Sequence, residues 1–495
     1  MIENIALGLT AALTPWNLLA AVASTMAGII VGALPGLTAT MGVALLVPVT
    51  FSMEPVTGLI MLSGIYCGGI YGGSITGILL HTPGTPAAIM TMLDGHKMTQ
   101  KGMAKQALST AVLASFCGGM MSSVALLFLS PPLAAFALRF GPPEYFCLAL
   151  FGMTIISSLT TGSVVKGLIV GFFGVFLSTI GLDPSLGLPR YTFDVPDLMS
   201  GLDLVSALIG LFSIPEALSL ITKRMSAEES LIGEIKGSMF LKLSEYWRLA
   251  TNFIKSSIIG VVIGIIPAAG PVIAPFISYR EAQRSSKIPE KFGTGIPDGI
   301  VASEASNNGV TGGSLVPLVT LGIPGDAPAA IYLGALTIHG LQPGPLLFQK
   351  SPQVVYGLFV GFFVVQFAML ALGLWGSRLF AQVVRLPKTI IVTFIFFFSI
   401  IGSLAMNGNV FDVWVMLSFA VLGYFMKRYG FPAAPIVLGL ILGPMLEDNL
   451  VASMAMSCNN PIIFVTRPLS LIILCLAALS LVAPYLGNLK RMFKK

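Results

Sequence analysis

Apolar stretches long enough to cross a bilayer, about 17–25 residues each, follow one another from Trp16 to Leu486, and no polar interval between them could hold a soluble domain. Most run uninterrupted. Two break in the middle. LLHTPGTPAAIMTM (79–92) places Pro83, Gly84 and Pro86 inside an apolar run, and VTLGIPGDAPAAIYL (319–333) repeats this with Pro324, Gly325 and Pro328, setting Asp326 where Thr85 stands. Two further stretches turn at small-residue tips, Leu34-Pro35-Gly36-Leu37-Thr38 and Pro267-Ala268-Ala269-Gly270-Pro271. The pattern predicts an all-α polytopic membrane protein built from two sets of elements in the same order. Each set has a re-entrant hairpin (16–51; 252–279), an interrupted helix (55–93; 299–338) and four plain spans. The plain spans are 104–129, 143–161, 163–181 and 200–222, then 354–377, 389–407, 410–426 and 433–447. A last span, 466–488, stands alone, giving about 11 crossings plus two hairpins.

The two sets also match as letters. IIVGALPGLTATMGVALLVPV (29–49) resembles VIGIIPAAGPVIAPFI (262–277), YGGSITGILLHTPGTPAA (71–88) resembles TGGSLVPLVTLGIPGDAPAA (311–330), and LDGHKM (93–98) resembles IHGLQP (338–343). Pairs in one order predict a duplication. The expected division is 1–222 as the first repeat, 223–250 as a cytoplasmic linker, 251–450 as the second repeat, and 451–495 as an extra C-terminal transmembrane helix with a basic tail. Lys and Arg collect in cytoplasmic loops. With the N-terminus outside, an odd number of crossings per half inverts the second repeat and leaves the C-terminus cytoplasmic. Every basic residue except Arg139, Arg190, Lys350 and Arg467 then falls on the cytoplasmic side.

Composition agrees, with 55% hydrophobic and 10% charged residues against roughly 25% charged in a soluble domain. The start, Met1-Ile2-Glu3-Asn4, lacks a basic n-region, so the apolar stretches are expected to direct insertion. The cysteines Cys67, Cys117, Cys147, Cys458 and Cys475 sit singly, away from metal-ligand spacing, and read as packing residues. No Walker loop, nucleotide fingerprint, Ser/His/Asp set or HExxH occurs. An ATP-driven or hydrolytic role, a bound metal and a nucleic-acid partner therefore find no support. Asp183, Asp194 and Asp197 read as solvated loop residues, and Glu447-Asp448 before Asn449 as a helix end. His81 reads as a pocket neighbour; His96 and His339 read as loop residues.

The chemistry lies in the breaks. Paired interrupted helices are the recurring plan of secondary transporters, where half-helix N-termini carry partial positive charge and free N–H groups. Such ends take anions. Backbone and small hydroxyls at Gly36, Thr38, Ser74, Thr82, Gly84, Thr85, Ala269, Gly270, Gly313, Ser314, Pro324 and Gly325 are the candidate anion-binding residues. Glu304, Asn307, Asn308 and Thr311 follow helical spacing and form one polar stripe, expected to face the protein interior. Glu304, Asn307 and Asn308, with Asp326, are the candidates for coupling to a cation, Na⁺ or H⁺; no other cofactor is called for. A channel would show rings of charge or carbonyls, and an enzyme a nucleophile beside a base; neither is legible here.

The strings GALPGLTAT, YGGSITGILLHTPGTPAA, ASEASNNGVTGGSLVPLVTLGIPGDAPAA and IHGLQPGPLLF resemble the TctA family, the large membrane subunit of tripartite tricarboxylate transporters, over nearly the whole length. One departure is His81, where Asn is expected before TPGTP. The resemblance implies a multi-pass permease of the bacterial inner membrane. It would work with a small TctB-like membrane subunit and a periplasmic TctC-like solute-binding protein in cation-coupled uptake of small, citrate-like carboxylates. By analogy with other carboxylate transporters it implies an elevator-like motion. The alternative is a carrier of another small anion that needs no binding protein.

Overall fold

In the computed structural model of the chain, residues 2–34, 36–159, 164–183, 187–222, 238–266, 270–376, 380 and 387–492 are described. Helices form where the apolar runs lie, and the two interrupted runs break at Pro83-Gly84 and Pro324-Gly325. The first half holds α1 (Ile2–Ala12), α2 (Pro15–Ala33), α3 (Ala39–Phe51), α4 (Pro55–Leu80), α5 (Ile89–Gln100), α6 (Ala104–Ala137), α7 (Pro142–Leu159), α8 (Val164–Ser178) and α9 (Leu204–Thr222). The second holds α10 (Leu243–Ile265), α11 (Gly270–Ser285), α12 (Pro297–Leu321), α13 (Ala327–Ile338), α14 (Pro345–Lys350), α15 (Pro352–Trp375), α16 (Lys388–Asn407), α17 (Val410–Tyr429) and α18 (Ala434–Met456), followed by α19 (Ile463–Thr466) and α20 (Pro468–Met492). A two-stranded ribbon, β1 (Gly181–Leu182) with β2 (Pro189–Arg190), lies between α8 and α9. Among the described residues, eight helices are long and apolar enough to cross a membrane: α2, α4, α6, α9, α10, α15, α17 and α18. Shorter apolar helices include α8, α13 and the apolar parts of α16 and α20. The chain is thus an all-α polytopic membrane protein.

Two compact units divide the chain. One comprises Met1–Ala134 and Glu216–Gly402; the other comprises Ala135–Pro215 and Ser403–Lys495. The first unit contains both expected hairpins and both interrupted helices, so it takes residues from both halves. Its interior is built on two glycine seams. A methyl group on Gly28 would come within 2.7 Å of Ile65 O, and one on Gly32 within 2.1 Å of Gly69 O, so α2 and α4 touch backbone to backbone. Between α10 and α12 the same spacing recurs: a methyl group on Gly260 would come within 2.2 Å of Ser306 O, and one on Gly264 within 2.7 Å of Val310 O. Small residues permit this approach, which gives dispersion contact where lipid offers no hydrophobic drive.

In the second unit, α18 packs on α7 and α8, and ion pairs tie it further. Arg190 donates to both oxygens of Glu447, at 2.6 and 3.0 Å, and lies 3.3 Å from Asp183. Arg467 and Ser470 donate to Glu144 at 2.7 and 2.8 Å.

Three local readings change. Glu447-Asp448 does not end a helix: α18 continues to Met456, because Arg190 pairs with Glu447 and Asn449 donates back to Met445 O at 2.7 Å. Asp183 and Asp197 are not merely solvated, since one pairs with Arg190 and the other accepts from Asn409 Nδ2 at 2.6 Å. His96 lies on α5 and bonds Ile78 O instead of sitting in a loop. Helix α10 starts at Leu243, so Glu245–Leu249 is helical, with Arg248 holding Asp298 through two bonds of 2.9 and 2.8 Å.

Candidate functional site

The two breaks are made the same way. Helix α4 ends with His81 in the left-handed region at φ 58°, and α12 ends with Gly322 at φ 73°. His81 is the departure noted above, and its conformation explains why Asn, which tolerates this region, is the expected residue there. Three residues on, Gly84 N–H donates to Gly73 O at 3.1 Å and Gly325 N–H donates to Ser314 O at 3.2 Å. Both glycines are forced by close approach, since a methyl group would meet Gly32 O at 2.2 Å in one case and Gly264 O at 2.6 Å in the other. These contacts set the register. They pair Gly73 with Ser314, one residue away from the letter match of YGGS with TGGS.

After the second break, Asp326 caps α13, its Oδ1 accepting from Ala329 N–H at 2.9 Å. Its other oxygen takes the Tyr66 hydroxyl, which shares a 3.1 Å bond with Ser314 Oγ. Gly270, the first residue of α11, lies nearby, a methyl there standing 3.7 Å from Asp326 Cβ. After the first break, Thr85 takes extended backbone and opens a 3-10 turn, Pro86–Ala88, which leads into α5. The Thr85 hydroxyl is buried and has no partner among the described residues.

The polar stripe of α12 is wholly enclosed: Glu304, Asn307, Asn308 and Thr311 are each 0% exposed. Glu304 accepts from Thr91 and, at 2.9 Å, from Ser115, with Ser74 also in reach. The two buried acids therefore have separate partner sets. Asn308 donates to Glu304 O at 3.4 Å, not to Asp326. Asn307 has neither of its side-chain atoms bonded among the described residues.

Other candidates are placed as follows. Ser74 donates to Tyr71 O, Thr82 to Leu80 O, and Gly313 lies against Val261 O. Pro324 is buried within the second break. Gly36, at φ 92°, faces Leu220, and Thr38 caps α3 by accepting from Met41 N–H at 3.2 Å. Ala269 lies outside the described residues, as do Pro35, Pro267 and Ala268. Sequence reasoning passed over Tyr66, Thr91 and Ser115, whose hydroxyls leave no mark on an apolar pattern. It also passed over Asp94, a fully buried carboxylate that accepts from the N–H groups of Gly293, Gly295 and Ile296 and from Tyr279 Oη. That residue fastens α5 to the loop that opens α12.

Among the described residues no group of three or more His, Cys, Asp and Glu could hold a metal ion. The arrangement instead offers two helix breaks deep in protein, one closed by a tyrosine–carboxylate–serine triad and one carrying unbonded polar atoms.

Comparison with known proteins gives a consistent picture. The family described as "Tripartite tricarboxylate transporter TctA family" matches residues 18–438. An Agrobacterium vitis protein described as "Uncharacterized 52.8 kDa protein in TAR-I ttuC' 3'region" is 36% identical over 492 residues, covering 99% of this chain and 97% of its own. A second protein of that organism, "Uncharacterized protein in TAR-II ttuC' 3'region", is 32% identical over 231 residues, which is 47% of this chain and 96% of its own. No solved structure matches significantly.

Proposed function

Since the chain belongs to the tripartite tricarboxylate transporter TctA family, we propose that it is the permease subunit of a cation-coupled importer of small, citrate-like carboxylates. Its family makes it the large membrane subunit of a tripartite transporter, and transporters of this kind work with TctB and TctC partners. In our reading the TctC-like protein delivers the carboxylate on the periplasmic face of a bacterial inner membrane. The TctB-like subunit assembles beside the chain, whose C-terminus is cytoplasmic.

The observation that carries the reading is the pair of breaks with the same hydrogen-bond plan, buried inside a helical membrane protein. A half-helix N-terminus offers unpaired N–H groups to an anion, and burial strengthens that attraction. Among the described residues Asp326 lies beside one such end without a basic partner, its bonds coming from Tyr66 and Ala329. A buried acid without a basic partner needs its charge neutralised, which a co-transported Na⁺ or proton would do. The two mirrored halves fit an inverted repeat, with an elevator-like movement of the hairpins and breaks.

Reconstitution tests this. The chain, its small subunit and its binding protein in vesicles should accumulate citrate or a smaller carboxylate when an inward Na⁺ or proton gradient is imposed. Equilibration without accumulation under either gradient would reject coupled import.

A further inference from the structure

The halves mirror each other in contacts that join them. Ser63 of α4 bonds Tyr332 of α13 at 2.7 Å, and in the same register Glu304 of α12 receives the Thr91 hydroxyl of α5. The bonds Gly84 N–H to Gly73 O and Gly325 N–H to Ser314 O obey this register too. It sets Tyr66 against Asn307, Ser314 against Gly73, and Asp326 against Thr85.

One member of that last set is complete: Tyr66 reaches both Asp326 and Ser314. Its mirror is not. Asn307 is 0% exposed and Thr85 3%, yet Thr85 Oγ1, Asn307 Nδ2 and Asn307 Oδ1 have no partner among the described residues. A carboxamide reaches less far from its Cα than a phenol. Replacing Tyr by Asn and Asp by Thr therefore leaves this copy without the hydroxyl–carboxylate bond of the other, and the Thr85 side chain packs onto Gly73, where a methyl group would meet Thr85 Oγ1 at 2.3 Å. A buried amide left without a partner costs about 1–3 kcal/mol, which a bound ligand would offset.

We propose that Asn307 and Thr85 are the side-chain pair that receives the substrate at the first break, and that they select a hydroxycarboxylate. Thr85 Oγ–H and the Asn307 NH₂ donate to one carboxylate group, at the start of the 3-10 turn Pro86–Ala88. Asn307 Oδ1, an acceptor, takes the proton of a hydroxyl on the adjacent carbon. The filled triad at Asp326 then serves the cation and not the anion. This rests on the transporter reading and gives its substrate a finer class.

L-Malate and succinate differ by that one hydroxyl. The full chain, purified in detergent, is titrated with each acid, and binding is read from the rise in unfolding temperature. Wild type should bind malate about 3–10-fold more tightly than succinate. Asn307→Ala should erase the preference, Thr85→Val should weaken both acids alike, and Asp326→Asn should keep the preference. Asn307→Ser, which retains a small polar group, serves if the alanine variant does not fold. An unchanged preference in the Asn307 variants, or a wild type stabilised by neither acid, overturns the proposal. Failure of the transporter reading would look different: malate would still bind, while vesicles accumulated nothing.

Discussion

Asp326 and Glu304 are both buried carboxylates, but their partners assign them different work. Asp326 combines a cap, which Asn could replace, with the Tyr66 bond, so Asp326→Asn should leave the fold intact and remove gradient-driven accumulation while substrate exchange survives. Parallel uptake and counterflow assays on one vesicle preparation check this, and normal accumulation would leave the acid as a cap alone. Glu304 is held by hydroxyls of α5 and α6. Glu304→Ala strands the Ser115 hydroxyl, leaves Thr91 only its bond to Ser303, and should cost about 1–3 kcal/mol for the donor left unsatisfied, whereas Glu304→Gln keeps an acceptor in place and should cost less. Asp94→Ala should be more damaging still, because it removes the acceptor for three backbone N–H groups at once. Thermal unfolding of the purified variants ranks them, and equal melting temperatures would refute the ordering. At this scale the sequence showed the acids and amides, because a charge or carboxamide stands out in an apolar run. It hid Tyr66 and Thr91, whose rings and methyls read as ordinary core.

Between helices, the seams decide what is tolerated. Gly32→Ala would force a methyl to 2.1 Å from Gly69 O and part α2 from α4, while Gly77→Ala meets nothing closer than 3.5 Å. We expect the first to reduce the yield of monodisperse protein severely. The second should be neutral or gain up to about 1 kcal/mol from better helix propensity. Size-exclusion profiles of the two variants suffice, and matching profiles would disprove the seam's importance. The two breaks and the helices were readable because paired Pro and Gly punctuate the apolar runs. Register was not: GGS in one half and GGS in the other invite an alignment one residue from the contacts, since letters do not record which glycine meets a facing carbonyl. The false helix end at Glu447-Asp448 has a similar origin, because polar residues mark a terminus only when nothing in the fold, such as Arg190, comes to meet them.

For the whole molecule, the proposed inversion predicts that the turns after the two hairpins emerge on opposite sides of the membrane. Ser52→Cys and Ser285→Cys, both exposed positions, should react with an impermeant thiol reagent from opposite faces of right-side-out and inverted vesicles; labelling from one face would rule the inversion out. The charge asymmetry of the loops is the sequence feature from which this topology is proposed. The joining of the halves was not legible, because the contacts that make it span more than two hundred residues of chain. Ser63 with Tyr332, Glu304 with Thr91, and Tyr66 with Asp326 each draw one partner from either half. Two identical chains meeting in this way would be bound to carry two identical breaks, and any substitution would strike both at once. Within a single polypeptide that constraint is absent, and one break can become a lock while the other becomes a socket.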